Sequence, residues 1–175
     1  MALPNDMSRI SDGIAGADAS KNYTGSAKKA ARNMIRESFT LTKTAADGSA
    51  AATTAYTAGP QIAVPRACRI LGAKIVPAAG ATADATNNAV ITVQKGDGAA
   101  GAGVVMATYT SDVAGGSLAA GTIKAMTVTS TIANTRIPAG GVLGFAIAKG
   151  GTGVVVPILS ITVDLEWEDI DGYGA

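Results

Sequence analysis

The sequence predicts an all-β chain: an antiparallel, jelly-roll-like β-sandwich of about eight strands, with an extended N-terminal arm containing at most one short helix. Three observations carry this expectation. Leu159, Ile161, Val163, Leu165 and Trp167 alternate without a break with Ser160, Thr162, Asp164 and Glu166, the period-two pattern of a strand with one wet face. Leu143, Phe145 and Ile147 form a second alternating set, and Gly150, Gly151, Gly153 and Pro157 lie between the two, residues that suit turns and stop ladders. Short alternating segments recur along residues 37–175 with no helical stretch between them, which favours a sandwich or barrel. Eight strands in two sheets is the jelly-roll number. An immunoglobulin-like sandwich is the rival, but the Cys…Trp…Cys spacing that would support it is absent.

Residues 1–36 form the arm. Pro4, Gly13, Gly16 and Gly25 are interspersed with Asp, Ser and Lys, and no period holds for long. Ser26–Glu37 alone reads as a short helix, with Ser26 as N-cap. Its apolar residues Ala27, Ala30, Ala31, Met34 and Ile35 share one side, and Lys28, Lys29, Arg32 and Arg36 lie elsewhere. Such a helix is marginal alone, because nucleation is costly and alanine buries little. The arm is therefore expected to order on contact with something larger.

The β domain, residues 37–175, opens with Phe39 and Leu41 alternating with Ser38, Thr40 and Thr42. A loop of small residues over 45–53 and an extended stretch around Tyr56 follow. Next come Gln61–Val64 and Cys68–Val76, separated by Pro65, which cannot donate to a ladder. In the second of these, Leu71, Ala73 and Ile75 are expected on one face, with Arg69 and Lys74 polar. Val90–Gln94, Val104–Thr110 and Ala125–Thr131 are the next candidates, the last with Met126 and Val128 inward. The strands around Phe145 and Leu165 close the set.

Composition narrows the function. Apolar residues make up 47% of the 175, yet aromatics only 4%, and there are 22 glycines. This suits thin, tightly packed sheets better than a ligand-enclosing pocket. The net charge of +1 gives no bulk attraction to nucleic acid or anionic membranes. Residues 1–43 carry a net +3 and residues 44–175 a net −2, with five acids in the last twelve positions. Histidine is absent, which removes the usual general base and the imidazole metal ligands. Cys68 is the only cysteine, so the chain has neither an internal disulfide nor a thiolate zinc cluster. No signal-like or membrane-spanning apolar run occurs, and synthesis as a soluble cytoplasmic protein is expected. No enzyme activity, cofactor or metal is expected.

The motifs that suggest chemistry each have a plainer reading. The run Gly96–Gly103 lacks the Gly-Lys-Ser/Thr ending and following helix of a P-loop. It also offers Asp97 as its only carboxylate, too few oxygens for calcium. It reads as a hairpin loop. Asp164, Glu166 and Glu168 share one strand face, with Asp169 and Asp171 beyond; paired carboxylates hydrolyse glycosides only across a cleft, and a solvated stripe that discourages edge aggregation is the simpler reading. Asn22-Tyr23-Thr24 matches a glycosylation acceptor by chance. Arg66, Arg69 and Arg136 are read as solvated or paired surface charges, and Trp167 as a core anchor. The basic residues of the arm lack interleaved aromatics for base stacking, so protein contact is their expected use.

Three features together resemble a known family. They are Arg136-Ile137-Pro138-Ala139-Gly140-Gly141-Val142-Leu143, the Gly-Gly-Thr-Gly turn at 150–153, and the closing strand Ile161–Trp167. Set among Ala/Thr/Gly-rich strands, they resemble the small jelly-roll decoration (cement, or head-stabilising) proteins of tailed bacteriophages, over most of residues 37–168. The resemblance implies a virion protein, a homotrimer on the outer capsid surface, synthesised in the host cytoplasm, with the major capsid protein as partner. It implies that the arm reaches onto neighbouring capsid subunits, and the candidate capsid-binding residues are Arg9, Lys21, Tyr23, Lys28, Lys29, Arg32, Met34, Ile35 and Arg36. The alternative is a phage fibre or receptor- or carbohydrate-binding jelly roll, for which Tyr56, Tyr109 and Tyr173 are the candidate exposed aromatics.

Overall fold

The computed structural model describes residues 36–46, 59–96, 103–111 and 116–167. Two antiparallel sheets face each other in a jelly-roll-like sandwich within the unit Glu37–Ala175. Among the described residues the strands are β1 (Arg36–Lys43), β2 (Ile62–Ala63), β3 (Cys68–Pro77), β4 (Ala89–Gly96), β5 (Val104–Thr110), β6 (Lys124–Ala125), β7 (Thr127–Val128), β8 (Arg136–Ile137), β9 (Val142–Lys149) and β10 (Leu159–Trp167). Sheet A runs β1-β10-β3-β6, with β8 also paired to β3, and sheet B runs β2-β9-β4-β5-β7.

The path follows from nesting. β3 pairs with β10, and inside that pair β4 pairs with β9, as when one long hairpin folds over into two layers. The core fills the space between. Leu41, Cys68, Ile70, Ala73, Ile75, Leu159, Ile161, Val163 and Leu165 come from sheet A, and Ile91, Val93, Leu143, Phe145 and Ile147 from sheet B. The alternating sets over 143–147 and 159–165 are thus the inner faces of β9 and β10.

The strand count differs from the expectation because several segments are short. The expected strand over Ala125–Thr131 is two pieces. β6 pairs with Lys74 and Ile75 of sheet A, and β7 with Ala107 and Thr108 of sheet B. Between them Met126 is buried, and its amide donates to Ala73 O at 2.9 Å. The chain changes sheets there, which is how corners of sandwiches are made. A single turn of helix, α1 (Ile132–Thr135), then leads into β8, where no helical segment was expected.

Two bulges correct the expected faces. Across β10 the register passes from Asp164↔Gly72 to Leu165↔Ile70, so Leu71 is the extra residue. A bulged strand spends one residue without changing face. Ile70 and Ala73 therefore both point inward, and Leu71 is 37% exposed, against the expectation that it shares a face with Ala73 and Ile75. In the β4–β5 pair, Val93 opposes Ala107 and Gln94 opposes Val105, so Met106 is extra and both Met106 and Ala107 are buried. β4 and β5 pair antiparallel; residues 97–102, where a hairpin loop is expected, lie outside the described residues.

Candidate functional site

Of the candidate capsid-binding residues, Arg9, Lys21, Tyr23, Lys28, Lys29, Arg32, Met34 and Ile35 lie outside the described residues, and so do Tyr56, Tyr173 and Glu168. Arg36 is described: it is the exposed first residue of β1, the outermost strand of sheet A. The chain thus enters the sandwich at a sheet edge. Phe39, three residues further along β1, packs edge-on against Trp167 with ring centroids 6.2 Å apart, a favoured aromatic geometry. Trp167 is half-buried against the core, as a strand-end anchor should be.

The outer face of sheet A carries a row of charges, and register explains it. Glu166 stands directly opposite Arg69, and its Oε2 accepts from Arg69 Nε at 2.6 Å and Nη2 at 2.5 Å. The glutamate is buried while the arginine side chain is 46% exposed. The expected wet stripe is therefore wrong at Glu166, because an aligned guanidinium covers it. Asp164 stands opposite Gly72, whose missing side chain leaves room over the strand. Its carboxylate accepts from Ser38 Oγ at 2.6 Å and Lys74 Nζ at 3.2 Å, so three strands are tied through one residue.

The Ser38 hydroxyl, aided by the Lys74 ammonium and opposed by some burial, holds the Asp164 carboxyl below the usual carboxylate range. A depressed folded pKa contributes stability that is present above the unfolded value of about 3.9 and lost as pH falls through the folded pKa. Asp164→Asn is expected to remove that contribution, up to about 1 kcal/mol for so exposed a group. Urea midpoints measured between neutral and acid pH check this: the variant should lose less stability on acidification than the native chain.

A second cluster gathers at the end of β3 where Trp167 opposes Cys68. Arg136 on β8 stands directly opposite Arg69, and Arg66 lies in the bend just before β3; all three are exposed. Lys95 adds structure nearby, donating to the carbonyls of Ala133 at 2.6 Å and of Arg136, and so closing the end of α1. Burial lowers the Lys95 pKa. Neither the Arg69–Arg136 juxtaposition nor the Lys95 contacts could be read from the sequence, since both depend on which short strand pairs with which.

Tyr109, expected among the exposed aromatics, is buried, and its hydroxyl donates to Gly116 O. Burial raises its pKa. It lines a small apolar cleft with Ala83, Ile91, Leu118, Val154 and Val156, about 10 Å³ in volume, far below the ~300–1,000 Å³ of ordinary ligand sites. Among the described residues no group of three His, Cys, Asp or Glu side chains could hold a metal ion, and no helix is long and apolar enough to cross a membrane. Cys68, which faces Trp167 across the ladder, is wholly buried. Comparison of the chain with family models, with curated proteins and with solved structures returns no match.

Proposed function

We propose that the protein is a structural virion protein that binds the outer surface of an assembled bacteriophage capsid as a homotrimer and stabilises contacts between major capsid protein subunits. The observation that carries the reading is the junction at Arg36. A basic segment of 36 residues with no lasting period leads directly into β1, the edge strand of sheet A. The sandwich then serves as a rigid body and the arm as the tether. The block that resembles decoration proteins lends support: it comprises β8, β9 and β10, and Gly140, Gly151 and Gly153 in its turns have positive φ, a conformation glycine adopts without strain.

The physical case is one of many weak contacts. An arm that orders on binding gives up conformational entropy but can wrap a large surface. On a lattice the copies act together, so modest affinity for each still locks neighbouring subunits. The test compares the full chain with a chain lacking residues 1–36, each incubated with capsids and counted by mass spectrometry per major capsid protein. The full chain is expected at a stoichiometric ratio, and the truncated chain is expected to lose capsid association while keeping a cooperative unfolding transition. Full decoration by the truncated chain would overturn the role of the arm, and a handful of copies of the full chain would point to a fibre instead.

A further inference from the structure

We infer that the outer edge of β1 pairs antiparallel with β1 of a second copy of this chain, about a two-fold axis at Thr40, so that two A sheets join into one. The inference does not rest on the capsid reading. It starts from how the sheets end. Among the described residues β2, β6, β7 and β8, the other strands at the margins of the two sheets, have two residues each. β1, outermost in sheet A, has eight, Arg36–Lys43, with neither glycine nor proline. A very short edge strand offers little to pair with, whereas a long one presents a row of main-chain donors and acceptors to another strand.

The residues of β1 themselves select the occupant. Ser38, Thr40 and Thr42 are exposed, Leu41 is buried, and Phe39 packs against the core. Residues directly opposite in an antiparallel pair share a face, so a self-pairing that keeps core side with core side sets odd numbers against odd. Centred on Thr40, it sets Thr40 opposite Thr40, Phe39 opposite Leu41, Ser38 opposite Thr42 and Glu37 opposite Lys43. Apolar meets apolar, hydroxyl meets hydroxyl, and no like charges face each other, as a stable sheet requires. The Lys43 ammonium keeps its hydrogen bonds to the Ala45 and Val156 carbonyls in this arrangement. A slip of two residues either way sets Phe39 opposite Lys43 or Leu41 opposite Glu37. β1 is thus self-complementary in one register, and Phe39 and Leu41 carry the inner face of one sheet into the next. The contact uses the same surface on both copies, so it joins copies in pairs and, between trimers, links one trimer to another.

Disulfide trapping of the purified full-length chain, without capsids, tests this. In that register residue 40 of one copy lies about 4.5–5.5 Å from residue 40 of the other, Cα to Cα, inside the ~4.4–6.8 Å that a disulfide spans. Residue 42 is offset from its counterpart by four residues, about 13 Å. Thr40 and Thr42 are both exposed, and the native thiol, Cys68, is buried and is the only one in the chain. Under mild oxidation, which takes two hydrogens from a pair of thiols, Thr40→Cys is expected to run as a covalent dimer on a non-reducing gel, at several-fold the yield of Thr42→Cys. Sedimentation of the native chain is expected to show species with an even number of copies. No dimer from Thr40→Cys, or equal yields from the two variants, would overturn the proposal, and so would a native chain that sediments only as a monomer or a trimer. With no capsid in the experiment, each of these failures leaves the capsid reading standing.

Discussion

Phe145→Ala is expected to destabilise the sandwich by about 3–5 kcal/mol, the cost of removing a fully buried aromatic ring and leaving its cavity. Phe145 is 1% exposed. It sits on β9 between β2 and β4 in sheet B and opposes Val93. Its ring also supports the backbone on the way to β2: a Cβ added at Gly59 would lie 3.4 Å from Phe145 Cζ. Little can collapse into the vacated space, because the surrounding side chains belong to two hydrogen-bonded sheets. Against a typical total of about 5–15 kcal/mol this is a large fraction, and the melting temperature should fall by about 2–4 °C per kcal/mol at this size. Phe145→Leu keeps most of the volume and should cost much less. Urea unfolding checks both, with a lower midpoint and an unchanged slope for the alanine variant; equal midpoints for the two would show that the ring is not a packing anchor.

Gly151→Ala is expected to cost about 2–3 kcal/mol, since it forces a side chain into the left-handed region and against a fixed backbone. Gly151 has φ +60°, and an added Cβ would meet Thr86 O at 2.4 Å. That carbonyl cannot easily retreat. Asp84 Oδ1 accepts from the amides of Thr86 and Asn87 at 2.8 and 2.6 Å, which also holds its carboxyl below the usual range. Asn87 Oδ1 in turn accepts from Thr152 N at 3.1 Å and Thr152 Oγ1 at 2.7 Å. The loops 84–88 and 150–153 are thus clamped together, and the substitution pushes them apart. Gly121→Ala separates the two effects: its φ is +67° with nothing within 4 Å of the added Cβ, so only the conformational cost of about 1 kcal/mol applies. Thermal unfolding should place Gly151→Ala well below Gly121→Ala; similar melting temperatures would mean that the clamp yields freely.

The parts of this fold that were legible are those written in neighbouring residues. β10 is plain because Leu159 to Leu165 alternate, and β9 because Leu143, Phe145 and Ile147 do; their side chains are buried as the pattern requires. The turn at 150–153 was legible from its glycines, two of which have positive φ. Other features escaped for a common reason. Leu71 looks like a core residue in any strict alternation, and only its pairing with β10 shows the bulge that turns it outward. Ala125 to Val128 looks like one strand, and only the two sheets on either side divide it. Tyr109 could have been a surface aromatic or a buried one; the carbonyl of Gly116 decided it.

The charged residues show the same boundary between local and non-local information. That Asp164 and Glu166 share a face follows from their spacing of two. That Glu166 is buried under Arg69 while Asp164 stays half-exposed beside Ser38 and Lys74 does not. It requires knowing which residue of β3 stands opposite each, and a shift of one residue would set Glu166 opposite core-facing Ile70 or Cys68 instead of Arg69. The sequence by itself determined the class of the protein, an all-β sandwich with alternating inner faces, together with the basic arm and the acidic end. Tertiary structure alone decided the registers, the bulges, the change of sheet at Met126 and the meeting of Arg69 with Arg136. Alternation is imposed by the pleat of a single strand, whereas register is imposed by the strand beside it, which lies 97 residues away for Arg69 and Glu166.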